Sequence, residues 1–357
     1  MQWSDLLGHE QPKEWFRTAL ANRRLGTSFL FVGPPGIGKR TFARLLAKGL
    51  LCRGTEPESL EACGQCEDCT QVDASTHPDL VTVAKPADKA FIPVELLIGE
   101  RDKRMREGLC HDISLRPYAG RRKIAILDDA DYFNTEGANC LLKTLEEPPT
   151  DSVLILLGTS LQRQLPTIRS RCQAILFRPL EHAQLQTLLL RNGLAETTEE
   201  ADSLASRCGG SLAEAQCMAD PDINDFRGVL LETLSKPQLP LMALAKSCGA
   251  LVDAAGKDAR LKRERMKLIF RLAARFYRAL ACGEETATGQ GAARTARCDP
   301  PLAQALQVVR RGGRLSPPAA TEAWSRCLLA MEQVDRNANQ AGLLEAWSAD
   351  LARLSDC

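Results

Sequence analysis

Phe29-Leu30-Phe31-Val32-Gly33-Pro34-Pro35-Gly36-Ile37-Gly38-Lys39-Arg40-Thr41 runs from an apolar strand through a glycine-rich turn into a helix, and Phe42, Leu45, Leu46, Gly49 and Leu50 share one face of that helix. Glycines let backbone N–H groups approach phosphate oxygens, the helix N-terminus adds partial positive charge, and Lys39 would reach the outer phosphates. The position after the lysine normally supplies a hydroxyl to Mg2+. Here it is Arg40, and Thr41 lies one residue further on, about 100° around the helix. Gly33, Gly36, Gly38, Lys39 and Thr41 therefore form a phosphate-binding loop that lacks its metal ligand.

Outward from this loop, short apolar runs alternate with helical patterns, as in a parallel sheet flanked by helices. Candidate strands are Phe29–Val32, Leu80–Val83, Lys123–Leu127, Val153–Leu157 and Ile175–Phe177. Ile124–Leu127 and Val153–Leu157 are apolar throughout, which predicts strands covered on both faces. After Pro179 the pattern is helical to the end. It includes an amphipathic run through Leu261, Arg265, Leu268, Leu272, Phe276 and Ala279, then a loop at Gly283–Pro301. With 357 residues, two or three domains are expected. The boundaries predicted are 1–178 for the α/β domain, 179–220 for a small helical domain and 221–357 for a second helical domain, with Asp220-Pro221-Asp222 as the linker between the last two.

Net charge is +1 with a pI near 7.4, so no global attraction to nucleic acid is available and any contact must be local. The composition, 44% hydrophobic and 25% charged, is that of a globular chain. The N-terminus carries no basic start followed by an apolar run, and no stretch reaches the roughly 18 apolar residues of a membrane span. A cytoplasmic protein with no membrane contact is expected.

Fourteen cysteines in such a chain point to metal or buried thiols rather than disulfides. Cys52, Cys63, Cys66 and Cys69, with ten, two and two residues between them, can close a tetrahedral structural Zn2+ site. Others, such as Cys110, Cys140, Cys208 and Cys248, lack ligand spacing and are expected to be small buried hydrophobes.

The strand Lys123–Leu127 ends in Asp128-Asp129. In a nucleotide site Asp128 would hold the Mg2+ shell and the second acid would polarise the attacking water. That second acid is usually a glutamate. Asp129 is one methylene shorter, and a displacement of about 1 Å can cost on the order of 100-fold in rate. The two acids would serve equally well to cap the helix that follows. Ser170-Arg171-Cys172 ends the sheet region, and its guanidinium could face a phosphate on a neighbouring subunit or simply make a surface ion pair. In the basic stretch Lys257–Arg278, the apolar spacing and the acids Asp258 and Glu264 favour a solvated face on a packing helix.

These motifs together resemble a known family. The Gly33–Arg40 loop, the four-cysteine module, His77-Pro78-Asp79, the run Leu141-Leu142-Lys143-Thr144-Leu145-Glu146-Glu147-Pro148-Pro149 and Ser170-Arg171-Cys172 occur in this order in bacterial clamp-loader subunits. The resemblance is strong over roughly residues 5–180 and weak beyond. It implies a RecA-like AAA+ domain with an inserted zinc module, a helical lid and an all-α collar domain. The subunit would work with delta and gamma/tau partners to place the sliding clamp on primer-template DNA as part of the DNA polymerase III holoenzyme. Motor subunits of the family keep Lys-Thr in the loop, Asp-Glu after the strand and an arginine in the lid. Here those places read Lys39-Arg40, Asp128-Asp129 and, after Gly210-Ser211-Leu212, Ala213. The resemblance thus implies a stator of the delta-prime type that does not turn over ATP/Mg2+ and supplies Arg171 as an arginine finger in trans. Thr159 stands at the family's sensor position. The alternative is an active gamma/tau-type ATPase. An AAA+ scaffold from another pathway fits the zinc module poorly, and no acceptor site supports a small-molecule phosphotransferase.

Overall fold

The computed structural model describes residues 1–56, 58–86, 88–119, 121–283, 300–312, 315–336 and 338–355. The expected loop at Gly283–Pro301 lies almost wholly outside the described residues. The chain divides into two compact units, one of residues Met1–Leu188 with Gly210–Ala213 and one of Leu189–Gly209 with Glu214–Cys357.

In the first unit five parallel strands, β1 Ser28–Val32, β2 Leu80–Val83, β3 Lys123–Leu127, β4 Ser152–Gly158 and β5 Gln173–Leu176, form one sheet in the order β2-β3-β4-β1-β5. All the residues of β1, β3 and β4 are buried, because helices cover both faces of the sheet. The last strand begins two residues earlier than its apolar signal, and the Phe177 amide just beyond it still donates to Val32 O at 2.7 Å. The helices of this part are α1 Glu10–Ala21, α2 Lys39–Leu51, α3 Glu67–Ala74, α4 Val94–Ile98, α5 Leu109–Ser114, α6 Thr135–Glu146 and α7 Pro166–Arg169. One core joins α1, α2 and one sheet face through Phe16, Phe29, Phe31, Phe42 and Phe177, whose rings meet edge-on or tilted. The other face packs Leu30, Leu127, Leu154 and Leu156 against Leu97, Ile113, Leu141 and Ile168. Alternate residues of each strand feed opposite cores, as period-2 side-chain direction requires. The turns after β1, β3 and β4 thus gather at the carboxyl end of the sheet, where ligand crevices of such sheets lie.

The helices that follow are α8 His182–Arg191, α9 Thr198–Arg207, α10 Leu212–Met218, α11 Pro221–Leu234, α12 Leu241–Asp253, α13 Ala259–Ala281, α14 Pro300–Gly312, α15 Pro317–Asp335 and α16 Gln340–Ser355. Asp220-Pro221-Asp222 is a helix start: the Asp220 side chain accepts from the Asp222 amide and Pro221 occupies the first turn of α11. In the second unit α13 packs along α15, and both α12 and α15 pack along α16. Phe270 meets Trp347 edge-on at 5.0 Å, and the Trp347 indole donates to Cys327 Sγ. Several bases of the Lys257–Arg278 stretch are structural. Arg265 donates to Leu251 O, and Arg275 donates to Ser206 O and Arg207 O at the end of α9, satisfying carbonyls that a helix terminus leaves open. No helix among the described residues is long and apolar enough to cross a membrane.

Candidate functional site

The loop after β1 is closed upon itself. Gly38 caps α2 in a left-handed conformation, and Lys39 is the first residue of that helix. The Lys39 ammonium donates to Gly33 O and Pro34 O, both at 2.6 Å, and is buried. Burial pulls its pKa down to about 8 despite the opposing pull of Asp131 and Asp128. Gly36 has φ 74°, and a Cβ there would overlap Ser211 Oγ and Ala213 Cβ. The Leu212 amide donates to Gly36 O at 3.0 Å, and the Ser211 hydroxyl donates to Pro35 O at 3.0 Å. His9 sits beneath the loop with Nε2 2.6 Å from Ile37 O and its ring edge-on to Phe177. Burial lowers the His9 pKa, which favours the neutral ring.

Beside the loop, Arg40 lies 3.4 Å from Asp128. A guanidinium thus neutralises the carboxylate that would otherwise face a metal. Thr41 is half-buried one residue further along α2. Asp129 occupies the left-handed region at φ 59°, and its side chain caps nothing; its pKa is raised by burial and by the charge of Asp128. The Asp128 side chain accepts instead from the Asp129 amide. Thr159 gives both its amide and its hydroxyl to Asp131, which also accepts from the Gln164 side chain. The residue expected as a sensor is therefore tied within its own chain.

Arg171 follows α7 and remains partly exposed. Its Nε donates to Glu146 at 2.8 Å and Nη2 donates to the same carboxylate oxygen, while Nη1 donates to Thr167 O and Ser170 Oγ.

Cys52, Cys63, Cys66 and Cys69 place their four Sγ atoms within 4.8 Å of one another. The pairs Cys52–Cys66 and Cys63–Cys69 stand 3.8 and 3.9 Å apart. A tetrahedron of sulfurs about 2.3 Å from a central ion has edges of about 3.8 Å, so the set fits a tetrahedral metal. It does not fit a disulfide, whose sulfurs are bonded at about 2.05 Å. Amides of Cys63 and Cys66 donate to Cys52 Sγ and Cys63 Sγ, as thiolates favour. Burial alone would raise the Cys52 thiol, but the Cys63 amide and the groups around it bring it down to about 6.

Around the thiols stands a network of other side chains. Asp68 is buried between two of the cysteines and accepts from Arg53 at 2.7 Å, with His77 Nε2 at 3.3 Å. The other His77 nitrogen accepts from the Asp79 amide, and Asp79 accepts from the amides of Tyr118 and Ala119. Arg121 donates to Cys52 O and Thr55 O. At Gly49 a Cβ would overlap Leu60 O, which accepts from the Trp3 indole at 3.0 Å. The missing side chain is what lets α2 receive the module.

The family described as DNA polymerase III, delta subunit, matches residues 8–181. Over these residues the chain is similar to this family. It is 36% identical over 226 residues to DNA polymerase III subunit delta′ of Pseudomonas aeruginosa, spanning 62% of this chain and 65% of that protein. Subunit delta′ of Bacillus subtilis is 34% identical over 174 residues, 48% of either chain. Subunit tau of Escherichia coli is 30% identical over 256 residues, 70% of this chain and 36% of that one. The chain thus spans less than two thirds of the length of each of these relatives. Among solved structures, a DNA polymerase III gamma-subunit-related protein of Thermotoga maritima aligns over 98% of this chain and 100% of its own, at 15% identity and a TM-score of 0.40.

The fold brings the loop residues Gly33, Gly36, Gly38 and Lys39 together with Asp128, Asp129 and Asp131, and gathers the four cysteines at a separate place. Sequence reading missed Asp131, whose only signal is a third acid two residues after Asp129. It also missed the partners Asp68, Arg121 and Glu146, because partners are chosen by tertiary approach. Cys110, Cys208 and Cys248 are buried as expected, Cys140 is half-buried, and Cys217 and Cys282 are exposed.

Proposed function

We propose that this chain is the stator, the delta-prime subunit, of a replicative clamp loader. In this reading it assembles with delta and gamma/tau subunits, does not hydrolyse ATP itself, and lends Arg171 to the ATP site of a neighbour. The observation that carries this is the asymmetry between two sites. At the loop, the groups that would meet a nucleotide are spent internally: Lys39 on Gly33 O and Pro34 O, Gly36 against Ser211 and Ala213, Arg40 on Asp128. Arg171 stands apart from that loop at the end of the sheet unit, where the exposed residues Glu146, Thr167 and Ser170 hold it on the surface.

Residues 179–220 would then act as lid and 221–357 as collar. The four cysteines would hold Zn2+ as a structural ion. Zinc here has no reaction to perform, because four thiolates leave it no open position. A phosphate transition state gains from a guanidinium where charge develops, and loss of such a finger costs about 1,000-fold or more in simple GTPase pairs.

The test is Arg171→Ala in a reconstituted loader. Assembly and metal content should persist, while ATP turnover stimulated by the clamp and primed DNA falls together with clamp loading. Unchanged loading would make Arg171 structural. Turnover by the isolated subunit, abolished by Lys39→Ala, would instead support an active gamma/tau-type ATPase.

A further inference from the structure

Four hydrogen bonds occupy four of the five N–H donors of Arg171. Both bonds along its Nε/Nη2 edge go to one oxygen of Glu146. That edge is one of the two with which a guanidinium forks onto a phosphate, and the other has only a single Nη2 hydrogen left, since Nη1 is committed to Thr167 O and Ser170 Oγ. A two-pronged grip on phosphate therefore requires Arg171 to leave bonds it already holds.

Glu146 is the last residue of α6, where the helix dipole disfavours a carboxylate. Its acid at that place is not explained by the helix, whereas it is explained by the guanidinium it holds. The pair is also reversible by position. Glu146 and Arg171 keep 49% and 31% of their side-chain surface exposed, so water can replace either partner at small cost.

Resting on the reading of Arg171 as a finger, we propose that Glu146 is its restraining partner. The carboxylate holds the guanidinium on this chain's own surface until the outer phosphates of a nucleotide bound to the adjacent subunit take its place. The exchange swaps one anion for another of higher charge, so it proceeds when a neighbour presents phosphate at the end of α7 and not otherwise. Glu146 acts only through Arg171 and touches no reacting atom.

The experiment uses the reconstituted loader carrying Glu146→Gln, which preserves shape and removes the charge. ATP turnover without clamp or DNA should rise about 2- to 5-fold, the scale of an exposed ion pair, with the KM for ATP unchanged. Glu147→Gln, one residue along, should leave that turnover at its original value. In the double variant Glu146→Gln with Arg171→Ala, turnover should fall to that of Arg171→Ala alone. A fall or no change with Glu146→Gln, or a rise that survives in the double variant, overturns the restraint while leaving the finger standing. No effect of Arg171→Ala overturns the finger and the restraint with it. Should the Gln variant fail to assemble, Glu146→Asp, which draws the charge back by one methylene, must raise basal turnover or the restraint fails.

Discussion

Asp68 shows how much one buried carboxylate can organise. It is 2% exposed, lies in sequence between two of the clustered cysteines, and joins Arg53 to His77. Replacing it with alanine takes away the carboxylate that faces the buried His77 Nε2, and a loss of about 1–3 kcal/mol is expected in denaturant unfolding at neutral pH. Although burial acts the other way, the bonds from Arg53 and His77 hold its carboxyl below its ordinary value of 3.8. A depressed folded pKa means that the unfolded chain binds the proton first. Its stabilisation is therefore full above about pH 4 and is lost as pH falls through the lower folded value. Stability curves of Asp68→Ala and the parent should converge there on acidification. Arg40 is a milder case. The Arg40 side chain is 58% exposed where it meets Asp128, so Arg40→Thr should change stability by no more than about 1 kcal/mol. It should not create ATP turnover in a phosphate-release assay, since Asp129 and the Ser211–Ala213 segment still stand in the way.

At the scale of elements, α3 is eight residues long, too short to persist on its own strength. Its hold comes from the thiol cluster, the Asp68 network and the clamp of Arg121 on the 52–55 turn. On the proposal that the four thiols hold Zn2+, its removal with a chelator should lower helicity by about the share of α3 and expose the 52–76 segment to protease, while the sheet keeps its cooperative transition. Helix α2 permits a sharper test. In a solvent-facing helix interior, Gly→Ala stabilises by roughly 1 kcal/mol. At Gly49 the new methyl would meet the Leu60 carbonyl, a backbone atom that cannot rotate away. Gly49→Ala is expected to destabilise and to weaken metal retention, measured by thermal melting and metal analysis. A gain in melting temperature would show that the module is not seated on α2.

For the molecule as a whole, a ligand that binds the native state raises stability by RT ln(1 + [L]/Kd), about 2.7 kcal/mol at a hundred times Kd. A loop whose lysine, glycine and arginine are already engaged has little to give a nucleotide. Millimolar ATP with Mg2+ should leave the melting temperature of the isolated subunit unchanged within error. A clear upward shift that Lys39→Ala removes would mean that the loop opens readily and that its closure is not a barrier to binding.

Much of this was legible in residue order, because the governing forces there are local. Continuous apolar runs made β3 and β4 interior strands, the 3.6-residue spacing made α2 and α13 amphipathic helices, and two Cys-x-x-Cys steps brought thiols within reach of one ion. That Arg40 follows Lys39 and Asp129 follows Asp128 was likewise plain in residue order, and on the stator proposal these are the places where a hydroxyl and a glutamate are wanting. Tertiary structure alone decided which groups are spent on which partners. Gly36 meets Ser211 some 175 positions on, and Arg171 meets Glu146 across 25. Such pairings depend on how the sheet's crossover connections return the chain, and a carboxylate carries no local sign of which guanidinium it will hold.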